Sequence, residues 1–173
     1  MNKKITSLIL ALAMMPCFVS SFAKDDEEKP QVKVAEAAYG TPVIDGEQDS
    51  VWNSTNYNVF DNVVGSDSTF YKGWFKVLWD DENMYMLAKV YSEQFSNMDV
   101  SPWENDSIEY FIDEDCMRTT TYFDDDYQLR IGFDSALSAN NYDVNKMTGK
   151  AVRGDNYYIA ELSFPYKTVT PYD

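Results

Sequence analysis

SPWENDSIEYFIDED, residues 101–115, decides the fold class. Within it Ile108, Tyr110 and Ile112 alternate with Glu109, Phe111 and Asp113. A period of two belongs to a β-strand, whose successive side chains point to opposite faces. One face is apolar and the other carries carboxylates, so this strand covers a core on one side and meets solvent on the other. Trp103 stands just before it, between Pro102 and the polar run Glu104, Asn105 and Asp106. An aromatic in a polar loop points to recognition rather than core filling. The stretch therefore predicts a flat aromatic platform beside a carboxylate.

Outward from this strand the same pattern repeats. Residues 75–79 and 84–91 read as two strands joined by the acidic turn 80–83, with Met84, Met86, Ala88 and Val90 on one face. Residues 127–133 follow the loop Asp124-Asp125-Asp126 as another strand. Residues 150–152 and 157–164 flank Gly154-Asp155 as a hairpin. Tyr158, Ala160, Leu162 and Phe164 alternate with Tyr157, Ile159, Glu161 and Ser163. Upstream, Tyr39-Gly40-Thr41-Pro42 reads as a turn, Val43-Ile44 as a short strand and Asp45-Gly46 as a second turn. Residues 165–169 read as a single helical turn with Pro165 at its start. No long helical period follows the N-terminal segment. The expected fold class is all-β, an antiparallel β-sandwich.

The chain has 173 residues, 45% hydrophobic and 16% aromatic, enough for one domain with a real core and too apolar for a disordered chain. Its formal net charge of −15 repels phosphate backbones and anionic lipid, which argues against nucleic acid or membrane as partner. There is no His, which excludes Ser-His-Asp triads, Cys-His pairs and His-ligated zinc. Lys3 and Lys4, the apolar run 5–19 and Ser21-Phe22-Ala23 read as a cleavable signal peptide over 1–23. A secreted, periplasmic or cell-surface location is expected. Cleavage removes Cys17 and leaves Cys116 alone, so no internal disulfide is expected. Residues 24–34 are charged and read as a linker. The domain is expected over 35–173.

Three stretches together resemble a known family. They are Tyr39-Gly40-Thr41-Pro42-Val43-Ile44-Asp45-Gly46 with Asp49 and Trp52, then Val77-Leu78-Trp79-Asp80 with Met84-Tyr85 and Ala88-Lys89-Val90, and finally Pro102 to Asp113. Asp124-Asp125-Asp126, Gln128, Arg130 and Tyr158-Ile159-Ala160-Glu161 continue the pattern. The chain resembles family 9 carbohydrate-binding modules of the type attached to xylanases. The resemblance implies a β-sandwich that binds the reducing ends of cell-wall sugars such as xylan or cellulose, carries structural calcium and serves a glycoside hydrolase. It implies that Trp103 is the first of two rings that sandwich the sugar, and that Glu109 and Arg130 hydrogen-bond its hydroxyls. The second ring and an accompanying Asn belong to a C-terminal segment of the family that this sequence lacks. A sandwich short of its last strands is therefore expected, with one-sided stacking and millimolar affinity, about −4 kcal/mol.

The chemistry of these residue types agrees. A pyranose offers a C–H face that packs on an aromatic ring, and a rim of hydroxyls. Glu accepts from that rim and Arg donates to it through a rigid fork. Glu109 and Asp113, four residues apart on one face, stand about 13 Å apart. Glycosidase carboxylates stand roughly 5–9.5 Å apart. A non-catalytic binding module is therefore expected. Calcium has rival acidic clusters: Asp113, Glu114 and Asp115 with residues 124–126, Asp45 with Asp49, or residues 80–82. The alternative function is a heme-binding electron-transfer domain of related sandwich fold. Without His it would need Met84, Met86, Met98, Met117 or Met147 as ligands, and the first two suit a core face better.

Overall fold

The alternating stretch inside residues 101–115 forms a strand of the expected length, Ser107–Asp113, with Ile108 and Tyr110 buried. The computed structural model describes residues 34–60 and 72–167. The expected signal peptide and all but the last residue of the expected linker lie outside them. The described strands are β1 (Ala38–Tyr39), β2 (Asn58–Val59), β3 (Lys72–Trp79), β4 (Asn83–Tyr91), β5 (Ser107–Asp113), β6 (Asp126–Gly132), β7 (Leu137–Asn140), β8 (Thr148–Arg153) and β9 (Tyr157–Pro165). Three short 3-10 turns complete the regular structure among the described residues, at Ser50–Ser54, Pro102–Glu104 and Val144–Lys146.

The strands make two sheets. The larger has the order β1-β3-β4-β9-β8, with β2 paired to β3, and the smaller is β5-β6-β7. Their facing sides share one core. Val77, Met86 and Ala88 from β3 and β4, with Ala160, Leu162 and Phe164 from β9, meet Ile108, Tyr110, Leu129 and Ile131 from the small sheet. These are the apolar positions of each alternating run, so the period of two in the sequence becomes the inside and outside of a sandwich.

The larger sheet is covered on its other face as well, near the Trp52 turn. Trp52 is fully buried there against Leu78, Tyr85 and Leu87. Two charged residues of that face are buried with it. Lys76 donates from Nζ to the Trp52 carbonyl at 2.8 Å. Glu161 accepts from Trp52 Nε1 at 2.8 Å and from the backbone N–H groups of Asp45 and Gly46 at 3.0 and 2.8 Å. Gly46 sits at φ +86°, a conformation that favours glycine.

Four local expectations change. Val43-Ile44 is not a strand. Its backbone is diverted by carboxylates: Val43 N–H donates to Asp49, and the Asp45 and Gly46 N–H groups donate to Glu161. The N-terminal strand lies earlier, at β1, and it pairs with β3 in parallel, the exception in an otherwise antiparallel fold. β7 was not anticipated. Leu-Ser-Ala-Asn has little intrinsic strand preference and is held by pairing to β6. Pro165 closes β9 rather than opening a helical turn, and residues 168–169 of that expectation lie outside the described residues.

Candidate functional site

The outer face of the small sheet is built by the residues that alternate with the core. On β5 these are Ser107, Glu109, Phe111 and Asp113, and on β6 they are Asp126, Gln128, Arg130 and Gly132. Glu109 and Arg130 are direct partners across the two strands, and Ser138 of β7 stands opposite Arg130. Two of the expected site residues are thus brought into contact. Arg130 Nε donates to Glu109 Oε1 at 2.5 Å, and Arg130 Nη1 donates to Ser138 Oγ at 2.8 Å. Gln128 Nε2 donates to the other Glu109 oxygen at 2.7 Å, and Asn140 Nδ2 donates to Gln128 Oε1 at 2.8 Å. Both oxygens of Glu109 are therefore fixed, and each keeps lone-pair capacity for a further donor. The Arg130 side chain is only 4% exposed, whereas that of Glu109 is 27% exposed. Arg130 forms the floor and Glu109 the accessible group.

Trp103 lies on the short turn Pro102–Glu104 and is 64% exposed. Its loop is tied down from several sides. Asn105 Nδ2 donates to the Asp99 carbonyl and Asn105 Oδ1 accepts from Asp99 N–H, both at 2.9 Å. Asp106 Oδ2 accepts from Ser96 N–H at 2.6 Å. Asn97 Nδ2 donates to Asp134 at 2.9 Å, and this bond with the Ala136 N–H holds the Asp134 carboxyl below its ordinary pKa. A loop held this way presents its ring without a large ordering cost on binding. Between it and the sheet opens a cleft of about 220 Å³. Asn97, Pro102 and Asn105 line one side of it, and Arg130 and Ser138 the other.

The acids divide. Asp113, Asp125 and Asp126 place carboxylate oxygens within 4.8 Å of one another. Oδ1 of Asp113 is buried without a hydrogen-bond partner. Its Oδ2 accepts from Arg118 N–H at 2.9 Å, the leading cause of a carboxyl held below its ordinary pKa. At Asp115 the Met117 N–H pulls the pKa down, but desolvation and the adjacent Asp125 outweigh it and the net shift is upward. The rival acids do other work. Asp45 and Asp49 cap turns, and Asp80 accepts from Thr41, Glu82 and Asn83. Of the methionines considered as heme ligands, Met86 and Met147 are buried in the sandwich core and Met84 packs against it.

The sequence reading missed Ser138 and Asn140, which hold Arg130 and Gln128, because β7 was not anticipated. Gln128 was legible from the outward positions of β6, two residues before Arg130.

Residues 44–173 match the family model described as carbohydrate family 9 binding domain-like. Endo-1,4-beta-xylanase A of Thermotoga neapolitana is 40% identical over 147 residues, which is 81% of this chain and 14% of that protein. Exoglucanase XynX of Acetivibrio thermocellus is 34% identical over 140 residues, 80% of this chain and 13% of that protein. The chain thus spans about one seventh of the length of these relatives. A family 9 carbohydrate binding module from Caldicellulosiruptor kristjanssonii, solved with glucose, superimposes with a TM-score of 0.72 at 28% identity, covering 79% of this chain and 70% of that one. The same module solved with cellotriose gives 0.71 at 29% identity, covering 78% and 68%. With two sheets of the same sandwich and a family match across its β-rich region, the chain belongs to the family 9 carbohydrate-binding domains.

Proposed function

We propose that this chain is an exported, non-catalytic module that binds the ends of β-linked cell-wall glycans of the xylan or cellulose type. In this reading Trp103 supplies the stacking surface, and Glu109 and Arg130 engage the hydroxyl rim. The observation that carries it is the pairing of Glu109 with Arg130 on the outer face of the small sheet, beside a cleft lined by Arg130, Ser138 and Pro102 of the exposed Trp103 turn; Trp103 and Glu109 themselves do not line that cleft. Relatives that are xylanases, and a module solved with glucose and cellotriose, support the substrate class. A glycoside hydrolase is the partner that this similarity favours, and the charged and apolar segments at 1–23 favour export.

A structural calcium ion belongs to the same proposal. The orphaned buried Oδ1 of Asp113, with Asp125 and Asp126 close by, fits a hard cation with oxygen ligands. Such an ion would neutralise clustered carboxylates and fix the loop between β5 and β6.

The binding reading is tested by calorimetric titration of glucose, xylose, cello- and xylo-oligosaccharides, and the same sugars with reduced ends. Binding is expected for the free ends and lost on reduction. Trp103→Ala removes the heat of binding without moving the melting transition, because surface substitutions change stability by only about 0.5 kcal/mol. A Trp103→Ala protein that unfolds, or one that binds as the parent does, contradicts the assignment.

A further inference from the structure

The outer face of the large sheet is covered only in part. Trp52 packs over it at Leu78, Tyr85 and Leu87, and Trp74 and Ile159 border that cluster. Beyond the Trp52 cover, strand register builds two rows. Val59, Trp74, Lys89, Ile159 and Val152 lie side by side across β2, β3, β4, β9 and β8. Lys72, Tyr91 and Tyr157 form the next row, toward the strand ends. These positions alternate with Phe75, Ala88, Val90, Tyr158 and Ala160 of the sandwich core, so they face outward. The rings come in pairs. Tyr57, 64% exposed, stands 6.2 Å from Trp74, and Tyr91 stands 6.1 Å from Tyr157. Lys89 Nζ lies over the second pair, 3.8 Å from the Tyr157 ring centre and 5.0 Å from that of Tyr91. Neither row holds a carboxylate, in a chain with 29 acidic and 14 basic residues. Among the described residues Lys72 and Lys89 enter no ion pair. Glu93 and Asp155, the acids nearest in sequence to Tyr91 and Tyr157, lie past the strand ends. Two uncompensated cations thus stand among four aromatic rings on an otherwise acidic molecule.

We propose that this face binds a hexuronate residue carried on an otherwise neutral glycan. Rings of the two pairs pack on the C–H face of the sugar, and Lys89, with Lys72 in the next row, donates to its carboxylate. The inference takes its glycan class from the reading above, but it uses none of that site's residues and lies on the other sheet. Charge complementarity selects the occupant. An ammonium group without a carboxylate partner on its own chain favours an anionic ligand. Salt screens exposed charges beyond about 8–10 Å, so a single carboxylate placed here meets the two lysines and little of the acidic remainder. A ligand with many negative charges, a polyuronate or an acidic peptide, extends onto that remainder and is turned away by the net −15. A sugar also uses the ring faces, which a bare carboxylate leaves idle.

The test is calorimetry with xylotetraose carrying a single glucuronate against unsubstituted xylotetraose, both with reduced ends to silence the site at Trp103. The acidic sugar is expected to bind about fivefold more tightly, the most that an exposed ion pair contributes. The preference persists in Trp103→Ala and shrinks at high salt. Lys89→Met abolishes it and Lys89→Arg keeps it. Tyr57→Ala and Lys72→Ser, both at exposed positions, weaken it with an unchanged melting transition. Equal affinity for the two sugars overturns the proposal. A preference that Trp103→Ala removes and Lys89→Met spares belongs to the other sheet and overturns it too. Loss of free-end binding with the acidic preference intact sinks the end-binding reading alone and supports this site. Polyglutamate that binds as tightly as the acidic sugar, or self-association in sedimentation that Lys89→Met abolishes, assigns the face to a protein partner and overturns the uronate.

Discussion

Glu161 shows how much a single side chain can carry that its sequence does not announce. In the alternation of β9 it takes the outward, polar place, and a solvated carboxylate would satisfy the pattern. In the fold it is fully buried, because residues 45–52 fold back over that face of the sheet. Period two reports which residues share a face, not whether a distant segment covers it. Burial pushes the Glu161 pKa up, against the pull of the Gly46, Trp52 and Asp45 N–H groups. Glu161→Gln keeps the shape and offers only one acceptor oxygen for three donors. At least one buried N–H is left unsatisfied, so a loss of about 1–3 kcal/mol is expected in chemical denaturation. The sign of the pH dependence follows from the raised pKa. The wild-type contribution is fully present below the ordinary glutamate value of 4.5 and is lost as pH rises through the folded value. The gap between wild type and Glu161→Gln should therefore be wider at pH 4 than at pH 8. A gap that widens with pH would show that the hydrogen bonds, not burial, dominate. Trp103 is the opposite case, since its polar neighbours alone indicated exposure.

The β3–β4 hairpin forms about the expected acidic turn, although β3 begins at Lys72 rather than at residue 75. The expected turn at 80–83 is organised by Asp80, whose Oδ1 accepts from the N–H groups of Glu82 and Asn83 at 2.9 and 2.8 Å. Its Oδ2 accepts from Thr41 at 2.7 Å and from the Tyr85 hydroxyl. Desolvation alone would raise the carboxyl, but these four donors outweigh it and the pKa is lowered. Tyr85, buried and facing Asp80, is pushed up to about 12. A depressed carboxyl adds stability above its ordinary value of 3.8 and loses it as pH falls through the folded value. Asp80→Asn should thus melt below wild type at pH 7, and the two curves should converge under acid conditions. Parallel melting curves from pH 7 to pH 3 would rule out the ionised form as the organiser. Acidic turn signals and alternating runs made this element and β5 legible from their own residues. β7 and the parallel β1 were not legible, because each exists through a partner far along the chain.

For the whole molecule the dominant physical fact is charge. The chain carries a formal net charge of −15 and its described cysteine, Cys116, is exposed and unpaired, so cohesion comes from packing against a repulsive surface. The sandwich was legible because its core needs only the summed alternation of many strands. The acidic hot spot was not, because three clusters in the sequence had equal claims and only folding brought Asp113 beside Asp125 and Asp126. A cation bound there in the folded state alone stabilises by mass action, about 2.7 kcal/mol at a hundred times its Kd. Removing it should lower Tm by several degrees. Thermal melts in EDTA, then with excess calcium and with excess magnesium, check this at constant ionic strength. Calcium should restore Tm and magnesium should do so less well, because magnesium demands tighter octahedral geometry and gives up its waters reluctantly. Sodium chloride added to the EDTA sample separates general screening from site binding, since screening raises Tm gradually and without preference among cations of equal charge. Asp113→Asn should abolish the calcium response while leaving the sodium response intact. A calcium shift that survives undiminished in Asp113→Asn places the ion elsewhere, and identical melts with and without EDTA show that the fold holds its clustered carboxylates without one.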